Sequence, residues 1–230
     1  MPFLEVNGKS LFYAKADPSS TTQKETTFVF IHGLGSSHSF YIPLMTRLAN
    51  DGYPCIAFDT HGSGLSELRP DHEPTSIGSI SKDVKGIIQH LGVSTKSVIA
   101  VGHSMGAIVV SELATTLDLR AAILAGPVLP KPALAQIFTA RIETVKKYGY
   151  NSLCRVIAEA ERPDYSLARC PLLILAGEED KTSPITDAQV ICEEWGCKSE
   201  NKSIKILEGV GHWHCIEAAD AVGTFILEFI

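Results

Sequence analysis

The stretch Gly102-His103-Ser104-Met105-Gly106 decides the fold that this sequence predicts. It follows an apolar run at residues 97–101 that is typical of a buried strand, and it precedes a run at 107–117 that is typical of a helix. A strand, Gly-x-Ser-x-Gly and a helix together form the context of a nucleophile elbow, in which the serine takes strained backbone angles. Residues two positions from the serine must then be almost free of side chain, and Gly102 and Gly106 satisfy that need.

The rest of the chain supplies the sheet that such an elbow requires. Apolar runs predict strands at residues 27–31, 54–58, 97–101, 120–125, 171–176 and 203–207, and helical patterns alternate with them at 40–50, 76–91, 107–117, 186–195 and 215–230. This alternation predicts an α/β fold with a mostly parallel central sheet and helices on both faces. Residues 3–6 and 10–14, joined by Asn7-Gly8, predict a hairpin that adds an antiparallel edge.

One segment, residues 127–168, breaks the alternation because it has helical patterns but no convincing strand. Its length exceeds what a crossover connection needs. We therefore expect a short inserted helical cap over the carboxyl ends of the strands, where open α/β sheets bind ligands. A plain crossover helix with a long linker is the alternative. Residues 1–230 are expected to form a single domain that contains this cap.

Composition limits the classes of function. The chain has 230 residues, 45% hydrophobic and 20% charged, which suits one globular domain with a well-buried core. Its net charge of −6 predicts neither a nucleic-acid nor a membrane partner. We expect a cytoplasmic protein, because residues 1–10 lack signal-peptide character and no apolar run is long enough to span a bilayer. The expected assembly is a monomer or a homodimer, and the sequence does not distinguish the two. The six cysteines are scattered without a Cys-x-x-Cys pair, which favours reduced thiols and no metal site.

The elbow serine needs chemical partners elsewhere in the chain. A serine hydroxyl becomes a nucleophile only with a base in reach and an acid that orients the base, and in this architecture the chain order is nucleophile, acid, histidine. His212 follows the last predicted strand, and Asp180 follows the strand before it. Ser104, Asp180 and His212 all lie just beyond the carboxyl ends of predicted strands, so they are predicted to converge as a catalytic triad.

Each partner has neighbours that could take its place. His214 is the alternative base, and Glu178 and Glu179 are the alternative acids. The side chain of His103, inside the elbow, is expected to point away from the substrate.

The reaction also needs donors for the negative oxygen of a tetrahedral intermediate. We expect the backbone N–H of Met105, at the start of a helix, and that of Leu34, in the glycine-rich turn after the strand at 27–31. Position alone suggests side chains that contact a substrate: His38, Phe138, Ile142 and Trp213.

Taken together, these motifs resemble the α/β-hydrolase superfamily over nearly the whole chain. The motifs that carry the resemblance are His32-Gly33, the stretch 59–66, the elbow, Gly177 with Asp180, and Gly211-His212. The branch that this chain resembles contains 3-oxoadipate enol-lactone hydrolases, small esterases and carbon–carbon bond hydrolases, and it implies a serine hydrolase without a cofactor. The chain departs from the family pattern in three ways: His61 stands where Arg is usual, Phe40 or Tyr41 where Trp is frequent, and the cap is short.

The sequence thus predicts hydrolysis of a carboxylic ester or lactone of a small, moderately apolar substrate. Cleavage of a carbon–carbon bond in a diketone-type ring-fission product, or of a thioester, would use the same three residues and stays open. A non-catalytic module that binds a small ligand is the alternative from a different class, although such modules usually lack one member of the triad.

Overall fold

The computed structural model describes residues 2–18, 23–68, 74–144 and 148–230, so residues 145–147 of the predicted cap lie outside the described residues. The described residues form an eight-stranded sheet in the order β1-β2-β4-β3-β5-β6-β7-β8. Its strands are β1 (Phe3–Val6), β2 (Lys9–Ala16), β3 (Thr27–Ile31), β4 (Cys55–Phe58), β5 (Val98–His103), β6 (Ala121–Ala125), β7 (Leu172–Gly177) and β8 (Lys202–Leu207). β1 and β2 pair antiparallel, β2 pairs antiparallel with β4, and the remaining neighbours are parallel. The predicted α/β-hydrolase fold is confirmed.

Helices join the parallel strands and cover both faces of the sheet. They are α1 (Ile42–Asn50), α2 (Ile77–Leu91), α3 (Met105–Thr116), α4 (Pro132–Thr144), α5 (Tyr148–Ala158), α6 (Ile185–Glu194), α7 (His214–Glu217) and α8 (Ala219–Phe229). In the described ranges, no helix combines the length and the apolar character that crossing a bilayer demands.

The core lies on the two faces of the sheet because successive strand residues point to opposite sides. In β3, Val29 and Ile31 face α2 and α3, whereas Phe28 and Phe30 face α1 and α8. All four side chains are fully buried. The central strands are therefore apolar on both faces, which is why they appear in the sequence as continuous apolar runs.

The opening hairpin forms where Asn7-Gly8 predicts it. Both residues take positive φ, 50° and 77°, as a tight two-residue hairpin turn requires. The hairpin is held to α2 by buried Asp83, which accepts hydrogen bonds from Lys9 Nζ at 2.7 Å and Asn7 Nδ2 at 2.9 Å.

The structure corrects two predicted helices. The helix predicted over 215–230 is broken at Ala218, whose φ of −144° and ψ of 45° separate the short turn α7 from α8. Glu217, the last residue of α7, accepts the N–H groups of Gly211 and Trp213 through its carboxylate. The helix predicted over 40–50 begins with a 3₁₀ turn at His38–Tyr41 before α1.

The segment between β6 and β7 forms α4 and α5, which pack against each other. The start of α5 approaches loops at the carboxyl ends of two strands. A Cβ built on Gly149 would lie 2.7 Å from the carbonyl oxygen of Gly62, and one built on Gly35 would lie 3.6 Å from the Tyr150 ring. These contacts place the helix pair at the edge of the sheet where Ser104 lies.

Candidate active site

Ser104 occupies the turn between β5 and α3 with φ of 53° and ψ of −114°. A positive φ is uncommon for a residue with a side chain, and such strain concentrates at functional sites. The turn is possible because Gly102 and Gly106 have no side chains. A Cβ on Gly102 would collide with the backbone of Gly106, and one on Gly106 would collide with the carbonyl of Ile31. The expected elbow geometry is present.

The predicted oxyanion donors are two backbone N–H groups, those of Met105 and Leu34. Met105 is the first residue of α3, and neither its N–H nor that of Leu34 donates to any described residue. Gly33 brings the loop after β3 against the elbow, since a Cβ there would lie 3.0 Å from Ser104 Cβ. The geometry therefore leaves two free donors on the two segments that flank Ser104.

Asp180 and His212 are joined by a hydrogen bond of 2.7 Å between Oδ2 and Nδ1. A carboxylate can only accept, so the Nδ1 atom carries the proton that His212 donates. In this tautomer the Nε2 atom is the acceptor of the ring, which is the atom that a general base needs. The loops after β7 and β8 thus bring together Asp180 and His212, two of the three residues of the predicted triad.

The Asp180 carboxylate is held in its ionised form. Burial by itself would raise the pKa of Asp180, but the hydrogen bond from His212 and those from two backbone N–H groups outweigh it and lower the pKa. Thr182 N–H and Ser183 N–H donate to Oδ1 at 2.8 and 2.9 Å. Oδ1 therefore accepts from two backbone N–H groups, and Oδ2 accepts from His212.

The link between Ser104 and His212 is not formed in this structure, because the Ser104 hydroxyl has no hydrogen-bond partner among the described residues. Catalytic hydrogen bonds are often long or absent without substrate and tighten in the substrate complex.

The alternative acids and the alternative base have other contacts. Glu178 accepts the N–H of Gly209 at 3.0 Å, and Glu179 is exposed. His214 is fully buried, and its Nδ1 atom lies 2.8 Å from the main-chain oxygen of His212. Of the predicted acids, Asp180 is the one that contacts His212.

The sequence motifs contain two buried residues, His32 and Asp59, to which the sequence alone assigned no role and which fix the loops around the elbow. His32 Nδ1–H donates to Gly33 O at 2.8 Å, and His32 Nε2 accepts the N–H of Thr60 at 3.0 Å. Asp59 accepts the N–H groups of His38 and Leu65 at 2.6 and 2.8 Å. Their positions directly after strands β3 and β4 are the sequence signal that could have found them.

The predicted substrate contacts have different surroundings. The Nδ1 atom of His38 is engaged by Asp59 at 2.9 Å. Phe138 and Ile142 are half-buried on α4. Trp213 is 42% exposed and lines a cavity of about 410 Å³. The other lining side chains are Ser36, Ser37, Ser39, Phe40 and Ile216, and His38 is not among them.

Metal coordination has no evident ligand set, since no group of three or more His, Cys, Asp or Glu side chains in the described ranges is arranged to hold an ion.

Comparison with known proteins agrees with this architecture. An enol-lactonase from Burkholderia xenovorans LB400 superposes with a TM-score of 0.82 at 20% identity, over 99% of both chains. An esterase from Thermogutta terrifontis superposes with a TM-score of 0.79 at 18% identity, over 100% of this chain and 96% of the other. At such identities the likeness shows the fold.

Curated sequences are also similar. The alpha/beta hydrolase domain-containing protein 17C of Mus musculus is 25% identical over 90% of this chain, which spans 59% of that protein. The 3-oxoadipate enol-lactonase 2 of Acinetobacter baylyi is 24% identical over 72% of this chain and 75% of its own. The model of the alpha/beta hydrolase family matches residues 28–152, more than half of the chain. The protein belongs to the alpha/beta hydrolase family.

Proposed function

We propose that this protein is a serine hydrolase that cleaves a carboxylic ester or a lactone of a small, moderately apolar substrate. One observation carries the proposal: Ser104 sits in a strained elbow at the same sheet edge as the hydrogen-bonded pair Asp180 and His212. A nucleophile in a strained turn and a base with an oriented tautomer are the arrangement that acyl transfer requires.

The first half-reaction acylates the serine. His212 Nε2 takes the proton of Ser104 Oγ while Oγ bonds to the carbonyl carbon, and the carbonyl electron pair moves to oxygen. The N–H groups of Leu34 and Met105 stabilise that oxygen. The intermediate then collapses, the bond to the leaving oxygen breaks, and His212 gives its proton to the leaving alkoxide. In a lactone that alkoxide remains attached to the acyl group.

The second half-reaction releases the acid. His212 takes a proton from water, whose oxygen attacks the acyl carbon, and it then returns a proton to Ser104 as the ester bond breaks. Asp180 holds the imidazole in the required tautomer and stabilises its charged form. These steps use protein side chains, backbone donors and water.

The relatives support an ester or lactone as the substrate class. Two of the similar proteins are named enol-lactonases and one is named an esterase. The helix pair α4–α5 is proposed as the cap that shapes the substrate pocket, with the half-buried side chains of Phe138 and Ile142 as contacts. An apolar lining of this kind favours an apolar acyl group.

A panel of substrates tests this proposal. Purified protein is assayed with p-nitrophenyl esters of graded chain length, with lactones, with thioesters and with a diketone-type substrate. We expect turnover of esters or lactones, and we expect Ser104→Ala to lower kcat about a thousandfold or more. The matched control is Ser111→Ala. Ser111 lies within α3, and its hydroxyl donates to the Ala107 carbonyl at 2.9 Å.

The outcomes separate the possible functions. Equal kcat for Ser104→Ala and the wild type would overturn the proposed nucleophile. Turnover confined to thioesters or to the diketone would move the activity to that substrate class while keeping the same three residues.

A further inference from the structure

The loop that carries His212 lacks regular secondary structure. Gly209 takes a positive φ of 66° and Gly211 precedes His212, so the local backbone is not held by side-chain bulk. Glu217 holds the loop on either side of His212 by accepting the N–H groups of Gly211 and Trp213, each at 2.8 Å. The aim of the His212 ring then depends on these flanking anchors and on the contacts that His212 itself makes.

Besides the ring contact with Asp180, the contact that His212 makes through its main chain is unusual. Its carbonyl oxygen lies 2.8 Å from His103 Nε2 and 2.8 Å from His214 Nδ1. A carbonyl can only accept, so both ring nitrogens donate. The two donors belong to different elements. His103 directly precedes Ser104 at the end of β5, and His214 begins α7.

Both donor rings are neutral for a physical reason. His103 and His214 are buried, and burial lowers the pKa of each below the usual histidine value. With one nitrogen donating to His212, the other nitrogen of each ring is unprotonated. Within the described residues, neither His103 Nδ1 nor His214 Nε2 has a hydrogen-bond partner.

This arrangement keeps His214 from competing for the acid. Its Nε2 atom is 3.9 Å from Asp180 Oδ2, too far for a hydrogen bond, whereas His212 Nδ1 is at 2.7 Å. His214 thus lies against the acid yet binds the base. Two buried rings with one unmet nitrogen each are a costly arrangement, which indicates that the contacts they do make have a role.

We propose that His103 and His214 are positioning residues that clamp the His212 carbonyl and thereby aim the His212 ring between Asp180 and Ser104. This inference rests on the proposed function for its catalytic consequence. Because His103 adjoins Ser104, the elbow that orients the nucleophile also orients the base. A misplacement of the base by about 1 Å can cost about a hundredfold in rate.

Matched pairs of variants test the clamp. An asparagine at 214 keeps an N–H donor where Nδ1 stands, and a glutamine at 103 keeps one where Nε2 stands. His214→Asn and His103→Gln are compared with His214→Leu and His103→Leu, which remove the donor. Near-UV circular dichroism identifies the variants that retain the fold, and the pair at 214, outside the elbow, suffices if the pair at 103 does not fold.

We expect His214→Leu to lower kcat about tenfold to a hundredfold with KM within about threefold, because the loss falls on the aim of the base. His214→Asn should restore kcat to within about threefold of the wild type. Equal kcat for the Leu and Asn variants would overturn the clamp, and so would a loss that appears in KM alone.

A second readout does not need a substrate. The Nδ1 proton shared by His212 and Asp180 is followed by proton NMR, and its resonance is assigned by its absence in His212→Gln. It should stay in place in His214→Asn and shift or broaden in His214→Leu. If the wild type hydrolyses its substrate and both Leu variants keep the wild-type kcat and the wild-type resonance, the clamp is overturned while the proposed function stands. The expected resonance pattern in a protein without hydrolase activity supports the clamp and defeats the proposed function.

Discussion

The elbow edge, formed by Ser104, Asp180 and His212, and the helix pair α4–α5 lie at the same end of the sheet but are held differently. Ser104 and Asp180 are buried, and short hydrogen bonds tie together loops from distant parts of the chain. In α4, by contrast, Leu134 is buried while Ile137 is 57% exposed. This difference fits the proposed division in which the sheet edge carries the chemistry and the helix pair selects the substrate.

The comparison predicts its largest effect at Asp180. Asp180→Asn should lower kcat about 10⁴-fold for every substrate of the panel, because an amide cannot hold the tautomer of His212 or stabilise its charge. The measurement is kcat across the panel. The control is Glu179→Gln, which changes the exposed neighbouring carboxyl and should leave kcat unchanged. A larger loss of kcat in Glu179→Gln than in Asp180→Asn would show that Asp180 is not the acid of the triad.

The next effect concerns the elbow backbone. Gly106→Ala places a methyl group against the carbonyl of Ile31, so we expect the free energy of unfolding to fall by about 1–3 kcal/mol and kcat to fall with it. Gly78→Ala is the matched control, because that glycine opens α2 with no close neighbour and should gain about 0.5–1 kcal/mol. The free energy of unfolding of both variants is measured in urea. A Gly106→Ala protein as stable as the wild type would contradict the tight turn.

The helix pair should respond in another way. Phe138→Ala should lower kcat/KM about tenfold for the preferred chain length and much less for shorter esters, because a lost apolar contact discriminates by size. Ile137 is the exposed neighbour of Phe138, and Ile137→Ala should leave kcat/KM unchanged for both the preferred and the shorter esters. A uniform loss across all chain lengths would mean that α4 supports the chemistry and that the two regions are not separate.

The smallest effect is a pH dependence of stability. The pKa of Asp180 is lowered in the folded protein, so its stabilising contribution is present above the unfolded-state value of about 3.9 and is lost as pH falls through the folded-state value. Unfolding measured in urea between neutral and acid pH should therefore show a steeper acid loss for the wild type than for Asp180→Asn. Parallel pH curves would show that the carboxylate is not stabilised by folding.

Much of the elbow edge follows from local sequence. Strand β3 was predicted with its observed bounds because all five of its residues are buried, and a doubly covered strand is a continuous apolar run. The positions of Asp180 and His212 follow from parallel strands, whose carboxyl ends meet at one edge. Their hydrogen bond needed only that convergence.

Other features depend on contacts that no local pattern contains. The bond from His103 to the His212 carbonyl joins β5 to the loop after β8, across 109 residues. The chain also breaks between α7 and α8 at Ala218, beside Glu217, whose carboxylate binds the preceding loop. An apolar helical pattern continues through that break and cannot reveal it.

The most direct test of the central claim is covalent labelling of the folded protein with a fluorophosphonate, followed by intact-mass analysis and peptide mapping. We expect one adduct per chain, located on Ser104, absent in Ser104→Ala and formed much more slowly in His212→Gln. A folded wild-type protein that takes no label, or takes it at another serine, would contradict the claim that Ser104 is an activated nucleophile.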